Sequence, residues 1–339
     1  MFLVCGTFDR ERGKPSYIGS LLFTTLKCDG MNGGHISKLR EIDFSTIDTL
    51  IWMPNISNEE EKIIGNIKKE NKKLLLISSK NVIDRDFTPS DVVGRLLMTK
   101  SNLGIMIDHQ KGEHIFKLLD PLGNLYCDTN DVYNLGIAIK ERIEYIKTLH
   151  RVNSTSVGNC RNFQINERFI EVVKNYSMEF TKYVNAINPY RFFGNASTRC
   201  SYGFPAMKEG ESIFVTRRNI DKQDICSEGF IEVLTEEATV KYYGKYAPSV
   251  DTPVQIKLFN HYPNIKYMIH GHVYIKDAPF TEHKIPCGYI EEFDDINALF
   301  TQDSSKIVVN LKGHGCLVAF ENIEDFNTIK LIGRPFPED

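Results

Sequence analysis

Short apolar runs alternate with amphipathic segments through the first 150 residues. This alternation constrains the possible folds of the chain more than any other feature of the sequence. Four of the runs have the length of buried strands: residues 2–8, Thr49–Trp52, Lys73–Ile77 and Leu103–Ile107. Two segments with helical character lie between them, Asn58–Ile64 and Ser90–Met98. Strands that alternate with helices favour a layered α/β fold with a mostly parallel sheet.

Two further elements complete this region and mark its end. Residues 113–127 have the pattern of a hairpin with its turn at Pro121–Asn124. An amphipathic helix spans about residues 131–148, since its apolar side chains recur every three or four positions. The polar stretch 150–159 has no such periodicity. We therefore predict a Rossmann-like α/β domain over residues 1–150 and a second α/β domain over residues 160–335.

The composition agrees with two domains of roughly 150 residues each in a chain of 339. Because 41 basic residues stand against 44 acidic ones, we expect neither nucleic-acid binding nor a polybasic membrane surface. No apolar run approaches the roughly 18 residues of a membrane span, and the first residues lack the pattern of a secretory signal. Eight cysteines without a C-x-x-C pair are typical of reduced thiols in a cytoplasmic protein.

Two histidine motifs in the second half indicate a metal site. His270 and His272 flank a glycine among β-forming residues, and on a strand they would share one face, roughly 6.6 Å apart. His314 lies between two glycines that join two apolar runs, which leaves its ring unobstructed. Three imidazoles can bind one divalent ion such as zinc. Taken singly, each motif is also typical of exposed histidines on a strand or in a hairpin.

Asp251 is a candidate for acid or base chemistry beside such an ion. It lies in the first turn of a helix predicted through Ile256, Leu258 and Phe259. A carboxylate close to a bound carbonyl compound can take up or return a proton. The alternative is a carboxylate that only interacts favourably with the helix dipole.

Four motifs in combination resemble the class II aldolase/adducin family, over about residues 165–325. Gly194–Arg199 is similar to the family's G-N-x-S-x-R segment, and Pro248–Asp251 is similar to its P-S-x-E segment. The H-x-H pair and the H-G at His314 follow in the family's order. The resemblance implies a three-layer αβα fold for the second domain.

The resemblance also implies roles for individual residues. His270, His272 and His314 would bind zinc or another divalent metal ion, and Asp251 stands where the family has its catalytic glutamate. The residues that would bind the phosphate of the substrate are Gly194, Asn195, Thr216, Arg217 and Ser249. The family further implies a cyclic homotetramer with its active site near a subunit interface.

Three departures from the family pattern concern the substrate site. Asp251 is one methylene shorter than glutamate, which changes the reach of proton transfer or shifts the metal position. Where the family has T-P-S-G, this chain has Thr216–Asn219, whose two arginines could bind an anion as a fork. Val250 replaces the second serine of P-S-S-E. The substrate need therefore not be a classical ketose 1-phosphate.

These features favour a metal-dependent aldolase, a lyase that cleaves or forms a sugar-phosphate-like hydroxy-ketone through a metal-stabilised enediolate. Epimerisation and dehydration pass through related species, so the metal motif does not separate the three reactions. The family also includes adducin, which lacks the metal, and an adducin-like interaction module without catalysis is the alternative. A third reading is a bifunctional enzyme whose first domain acts on a nucleotide or sugar intermediate.

We recognise no family in the first domain and interpret it from its strand ends. Cys5–Asp9 lies where a strand meets a loop, which is where α/β folds bind ligands. Gly13–Ser16 does not match a phosphate-binding loop, because Gly6 and Gly13 are separated by six residues rather than four and Pro15 replaces the Ser/Thr after the lysine. Asn32–His35, interpreted as a polar turn, and Met53–Ile56 could reach the same edge. We consider a nucleotide or phosphorylated ligand there, against the alternative of a scaffold or oligomerisation domain.

Overall fold

The structure is a computed structural model of the chain that describes most of its residues. The described residues are 1–6, 17–36, 39–53, 61–83, 85, 88–110, 113–184, 194–199, 201–202, 212–234 and 239–339. The predictions made for Thr7–Asp9, Gly13–Ser16, Pro54–Ile56 and Asn58–Glu60 lie outside these ranges.

The described residues form two compact units. The first comprises Met1–Thr148 together with Pro335–Asp339, and the second comprises Leu149–Arg334. The last five residues join the first unit because Glu338 exchanges backbone hydrogen bonds with Gly123 and Leu125, at 2.9 and 2.7 Å. Among the described helices, none combines the length and the apolar character that a membrane span requires.

The first unit contains a mixed seven-stranded sheet. Its strands are β1 (Phe2–Cys5), β2 (Gly33–Ile36), β3 (Thr49–Trp52), β4 (Leu75–Ile83), β5 (Leu103–Gln110), β6 (Glu113–Leu119) and β7 (Leu125–Thr129). They lie in the order β2-β1-β3-β4-β5-β6-β7, parallel from β2 to β5 and antiparallel from there to β7. The helices described in this unit are α1 (Tyr17–Cys28), α2 (Glu61–Glu70), α3 (Pro89–Thr99) and α4 (Val132–Thr148).

Most of the strands and helices predicted for this unit are confirmed. β3 coincides with the predicted strand, β6 and β7 form the predicted hairpin, and α4 matches the amphipathic helix. The interpretation of Asn32–His35 as a polar turn was wrong, because most of it belongs to β2. Gly33 makes this strand possible next to β1, since a Cβ there would lie 2.2 Å from the ring of Phe2.

The ends of β1, β2 and β3 lie together at the edge where we considered a ligand site. The backbone N–H of Met53 donates to the carbonyl of Cys5 at 2.7 Å. The Nε2 atom of His35 lies 3.4 Å from the carbonyl oxygen of Gly6. These residues therefore meet as the sequence suggested, while the adjoining residues 7–16 lie outside the described part.

The second unit contains an eight-stranded sheet and two small two-stranded sheets. Its strands are β8 (Ser154–Gly158), β9 (Gln164–Ile165), β10 (Asn195–Thr198), β11 (Ser201–Tyr202), β12 (Ile213–Thr216), β13 (Phe230–Leu234), β14 (Val240–Tyr243), β15 (Tyr267–Gly271), β16 (Tyr274–Ile275), β17 (Lys306–Leu311), β18 (Gly315–Phe320) and β19 (Leu331–Ile332). The large sheet has the order β17-β18-β15-β10-β12-β13-β14-β8, and all its pairs are antiparallel except β14 with β8. The α-helices described here are α5 (Glu167–Val184), α6 (Thr252–His261) and α7 (Glu292–Asn297).

The large sheet lies between two helical layers, each with its own apolar core. On one face, α5 packs through Phe169 into the core that contains Ile269 of β15. On the other face, Leu258 of α6 and Ile296 of α7 belong to the core that contains Met268 of β15. Because consecutive residues of a strand face opposite sides, β15 contributes to both cores. The end of β15 is thus held by packing on both faces of the sheet.

Candidate metal centre

The three histidines that the sequence singled out come together at the end of β15. Their ring centroids are 5.1 Å apart for His270 and His272, 4.6 Å for His270 and His314, and 5.1 Å for His272 and His314. Each histidine offers one ring nitrogen, and these three nitrogens lie within 4.8 Å of one another. The three imidazoles can therefore face a single ion.

Strand pairing brings these residues together across a long separation in sequence. His270 belongs to β15, and His272 follows directly after Gly271, the last residue of that strand. His314 lies in the turn between β17 and β18. β18 pairs with β15 so that Gly271 lies opposite Cys316, which sets the hairpin turn beside the end of β15.

Two glycines in these motifs allow the close approach. A Cβ on Gly271 would lie 2.3 Å from the ring of Phe180, and a Cβ on Gly315 would lie 2.0 Å from the carbonyl oxygen of Gly271. Gly315 also has a φ of +153°, a conformation that residues with a side chain rarely adopt. The glycines that flank the histidines are therefore required by packing at the site itself.

His270 presents a buried nitrogen toward the other two rings. Its Nδ1 donates to the carbonyl oxygen of Cys316 at 2.9 Å, which leaves Nε2 with a lone pair. Nε2 has no hydrogen-bond partner among the described residues, although the side chain is only 2% exposed. Burial, with the neighbouring charge of His314 as the next cause, lowers the pKa of His270 to about 4. The ring is therefore a neutral imidazole that is ready to bind a cation.

His314 is held by two residues that the sequence analysis did not identify. Its Nδ1 lies 2.6 Å from Oε1 of Glu292, at the start of α7, and its Nε2 lies 3.0 Å from Sγ of Cys287. Burial lowers the pKa of His314, but electrostatic interactions and hydrogen bonds with Cys287 and Glu292 outweigh it and raise the pKa well above its usual value. A cation at Nε2 would compete with that proton.

Asp251 lies beside the histidines, and it lies just before the helix rather than inside its first turn. It is the N-cap of α6, and its Oδ2 atom is 4.0 Å from Nε2 of His270. Oδ2 accepts hydrogen bonds from Nδ2 of Asn195 at 3.0 Å and from the hydroxyl of Ser249 at 3.3 Å. The other oxygen, Oδ1, is buried and has no hydrogen-bond partner within the described part of the chain. Hydrogen bonds to Oδ2 thus orient the carboxylate of Asp251, and Oδ1 remains available to a ligand or substrate.

The residues predicted to bind phosphate divide into two groups. Asn195 and Ser249 touch Asp251, and Gly194, with a φ of +100°, lies directly against the backbone of His270. Thr216 is fully buried, and its hydroxyl accepts a hydrogen bond from the backbone of Ala196 at 3.1 Å. Arg217 stacks on another residue instead, with its guanidinium 4.5 Å from the ring centroid of Tyr246. The structure therefore places Gly194, Asn195 and Ser249 against His270 or Asp251. Thr216 contacts the residue after Asn195, and the backbone of Arg217 pairs with that of Pro248, the residue before Ser249.

Two cationic residues near the histidines were also missed. Lys222 is buried, and burial lowers its pKa to about 8. Arg334 donates from Nη1 to the carbonyl oxygen of His314 at 3.0 Å. Burial is the largest cause that lowers the pKa of His272, followed by the charges of His314 and His270. The positive charges of Arg334 and Lys222 lower this pKa further. A centre with this much positive charge nearby favours an anionic ligand.

The donor set fits a divalent metal ion of the zinc type. Three imidazole nitrogens, a carboxylate oxygen and a thiol sulfur are the ligand atoms that zinc binds in proteins. The buried Nε2 of His270 has no hydrogen-bond partner among the described residues, and such an ion would supply it. The described residues thus form two overlapping groups that could hold a metal ion, one of His270, His272 and His314 and one of Asp251, Cys287 and His314.

Comparison with known proteins gave matches to solved structures only. No protein-family model and no curated protein sequence matches the chain. A solved L-fuculose 1-phosphate aldolase is 16% identical, with a TM-score of 0.35, over 48% of this chain and 81% of its own. A DNA/pantothenate metabolism flavoprotein from Streptococcus pneumoniae is 15% identical, with a TM-score of 0.33, over 43% of this chain and 98% of its own.

A third similar structure is YgbL from Escherichia coli, which is named as an aldolase/epimerase/decarboxylase. It is 14% identical, with a TM-score of 0.35, over 48% of this chain and 81% of its own. Solved structures that are similar to about half of this chain thus include members of the class II aldolase superfamily.

Proposed function

We propose that the second unit is a metal-dependent lyase of the aldolase type, which cleaves or forms a phosphorylated hydroxy-ketone. The observation that supports this most directly is the meeting of three imidazoles with a carboxylate 4.0 Å from one of them. The residues that would hold the ion are His270, His272 and His314. Zinc or another divalent ion bound there would polarise the carbonyl group of the substrate.

Asp251 is the acid and base of the proposed reaction. In the cleavage direction its free Oδ1 accepts the proton of the substrate's β-hydroxyl, and the bond between the α- and β-carbons breaks. The electron pair of that bond would pass to the substrate's own carbonyl oxygen, whose charge a bound divalent ion would stabilise, while the β-carbon leaves as a second carbonyl compound. Asp251 then returns the proton to the α-carbon. Asn195 and Ser249 keep the carboxylate oriented by binding its other oxygen.

An anionic substrate agrees with the charges around the site. Lys222 and Arg334 add positive charge beside the histidines, and Arg218 lies next to the Asp251 segment, where its Nε donates to the carbonyl oxygen of Pro248 at 3.3 Å. We propose that the phosphate binds near Gly194, Asn195 and Ser249. In this proposal Arg217 and Arg218 act through their charge at the edge of the site rather than as a bidentate fork.

Metal analysis and product analysis test this function. We expect about one divalent ion per chain in the purified protein, lost in His270→Ala with the thermal unfolding transition retained. A panel of phosphorylated ketoses should then yield two shorter carbonyl products. A single isomerised or dehydrated product would instead assign epimerisation or dehydration to the same site. A metal-free wild-type protein with a normal unfolding transition would favour the adducin-like interaction module.

A further inference from the structure

Cys287 lies at the metal centre, although no motif in the sequence marks it. Its Sγ is 3.0 Å from Nε2 of His314, which is the nitrogen that Glu292 does not use. Sγ, a ring nitrogen of His314 and a carboxylate oxygen of Asp251 all lie within 4.8 Å of one another. The thiol therefore clusters with Asp251 and with His314, which is also one of the three candidate histidine ligands.

The backbone around Cys287 is built to hold it there. The next residue, Gly288, has a φ of +81°, and a Cβ on it would lie 3.1 Å from the carbonyl oxygen of Val250. This close contact brings the loop of Cys287 against the residue that precedes Asp251. On the other side, Nη2 of Arg151 donates to the carbonyl oxygen of Cys287 at 3.3 Å. The position of the thiol is thus determined by packing and by a hydrogen bond.

An independent observation indicates that an ion, rather than a hydrogen bond alone, completes this cluster. The side chain of His270 is only 2% exposed, and its Nε2 has no hydrogen-bond partner among the residues described. The ring centroids of His270 and His314 are 4.6 Å apart, so this nitrogen lies close to the second histidine. A thiol hydrogen bond to His314 leaves this nitrogen unsatisfied, whereas a cation between the rings would satisfy it.

We propose that Cys287 is a thiolate ligand of the metal ion, in addition to the three histidines. This inference rests on the proposed metal centre and specifies its chemistry. Neighbouring nitrogen and sulfur ligands of tetrahedral zinc lie about 3.5 Å apart, so the present 3.0 Å needs only a small widening. On binding, the thiol releases its proton to solvent and the sulfur–metal bond forms, with no change of oxidation state.

A thiolate ligand changes which metals the centre prefers. Soft sulfur donors select zinc and its cobalt analogue, whereas magnesium and manganese favour carboxylate and water oxygens. We therefore expect zinc and cobalt to bind much more tightly than magnesium. Because a fourth protein ligand closes a tetrahedral site, substrate must then displace the sulfur or enlarge the coordination number.

Cobalt absorption spectroscopy of the full chain tests the proposal without relying on activity. Wild-type protein titrated with Co²⁺ under reducing conditions should show thiolate-to-cobalt charge-transfer absorption in the near ultraviolet. Cys287→Ser should lose this band and keep the visible cobalt bands of the histidine site. Cys160→Ser, which changes an exposed thiol of the same unit, is the matched control and should retain the band.

The outcomes separate this inference from the function on which it rests. Visible cobalt bands without charge transfer in the wild type, or a band that survives in Cys287→Ser, would overturn the thiolate ligand and leave the metal site intact. Absence of any cobalt binding would overturn both. Alkylation of wild-type protein provides a second measurement that needs no variant. Labelling of Cys287, mapped by peptide mass, should slow with Zn²⁺ and recover with chelator while labelling of Cys160 stays constant.

Discussion

At the residue scale, the hydrogen bond between Glu292 and His314 determines which nitrogen of the ring is left to bind an ion at the candidate metal centre. Glu292→Gln keeps the shape of the side chain but removes the charge that holds Nδ1 at 2.6 Å. Loss of such an orienting carboxylate typically weakens metal binding about 10- to 100-fold. We expect a drop of that size in zinc affinity, measured by competition with a chromophoric chelator.

Asp295→Asn is the control for this change. Asp295 lies on the same helix, α7, and its Oδ1 is 2.9 Å from Nδ1 of the exposed His283. The pair has the same chemistry but lies outside the histidine cluster. Its variant should keep the zinc affinity of the wild type. Equal losses in the two variants would show that α7 stabilises the unit without orienting His314.

Asp251→Asn separates proton transfer from metal binding. The amide keeps the size of the carboxylate and a hydrogen-bonding oxygen for Asn195, but it cannot accept a proton. We expect turnover of whichever phosphorylated ketose the wild-type protein cleaves to fall by about 10²- to 10⁴-fold. Metal content should stay at the wild-type level, because the three histidines remain. Full activity in Asp251→Asn would remove this residue from the mechanism.

The candidate residues that sequence reasoning found and those it missed differ in one respect. The three histidines and Asp251 lie in short motifs whose combination and order along the chain indicate chemistry. Cys287 stands alone in a loop and Glu292 lies in an acidic run over residues 291–295, and only the fold brings the two side chains to His314. A single cysteine or glutamate is compatible with many structures. Such residues can be assigned only when the fold is known.

At the scale of elements, the turn between β17 and β18 must approach β15 without side chains in between. Gly315→Ala places a methyl group 2.0 Å from the carbonyl oxygen of Gly271 and adds strain at a positive φ. We expect this variant to lose metal binding and to lower the unfolding temperature of the second unit. Both can be followed by metal analysis and by near-ultraviolet circular dichroism during heating.

Gly244→Ala isolates the part of this effect that comes from backbone strain. Gly244 also has a positive φ, +118°, but a Cβ there meets nothing closer than 3.7 Å. The variant should therefore cost only about 1–2 kcal/mol and keep its metal. If Gly315→Ala behaves in the same way, the close approach of the hairpin to β15 is not needed for the site.

The start of α3 depends on a buried carboxylate, which makes the first unit sensitive to acid. Asp91 accepts from Nη1 of Arg85 at 2.7 Å and from the backbone and hydroxyl of Thr88 at 3.0 and 2.6 Å. The hydrogen bond from Arg85 is the largest cause that lowers the pKa of Asp91; burial opposes it, and Thr88 and Lys80 lower it further. Because the folded pKa is below the unfolded one, the stabilisation is complete above about pH 4 and decreases as the pH falls further.

Asp91→Asn tests this pH dependence. At pH 7 we expect the variant to be about 1–2 kcal/mol less stable than the wild type, in line with the loss of a charged helix-start contact. Below about pH 4 the difference should shrink, because the wild-type carboxyl also becomes neutral. Urea unfolding at a series of pH values measures the difference. A gap that stays constant with pH would contradict the role of the charge.

The elements that sequence patterns missed have physical explanations. β2 opens with two glycines, which are typical of a turn, and it is a strand because β1 offers a parallel partner. α1 does contain a helical pattern, since Ile18, Leu22 and Leu26 recur every four residues and are buried. The first element depends on tertiary pairing, whereas the second could have been predicted.

At the scale of the whole molecule, the chain passes through both units and returns to the first. The apolar patterns separated the two regions near residue 150, because the helix α4 ends and a polar stretch follows. No pattern indicated that Pro335–Asp339 would rejoin the first unit. Glu338 pairs through its backbone, which any residue can do, so the sequence contains no marker for it.

Phe336→Ala tests whether the second unit holds its metal independently of this returning segment. The ring of Phe336 packs against the core of Val92, Leu96 and Leu119, and against Gly123, where a Cβ would lie 2.2 Å from it. Because the ring is only partly buried, we expect the first unit to lose about 1–3 kcal/mol of stability. Zinc affinity and the unfolding of the second unit should not change. A parallel loss of zinc in this variant would mean that the two units fold and bind metal as one cooperative body.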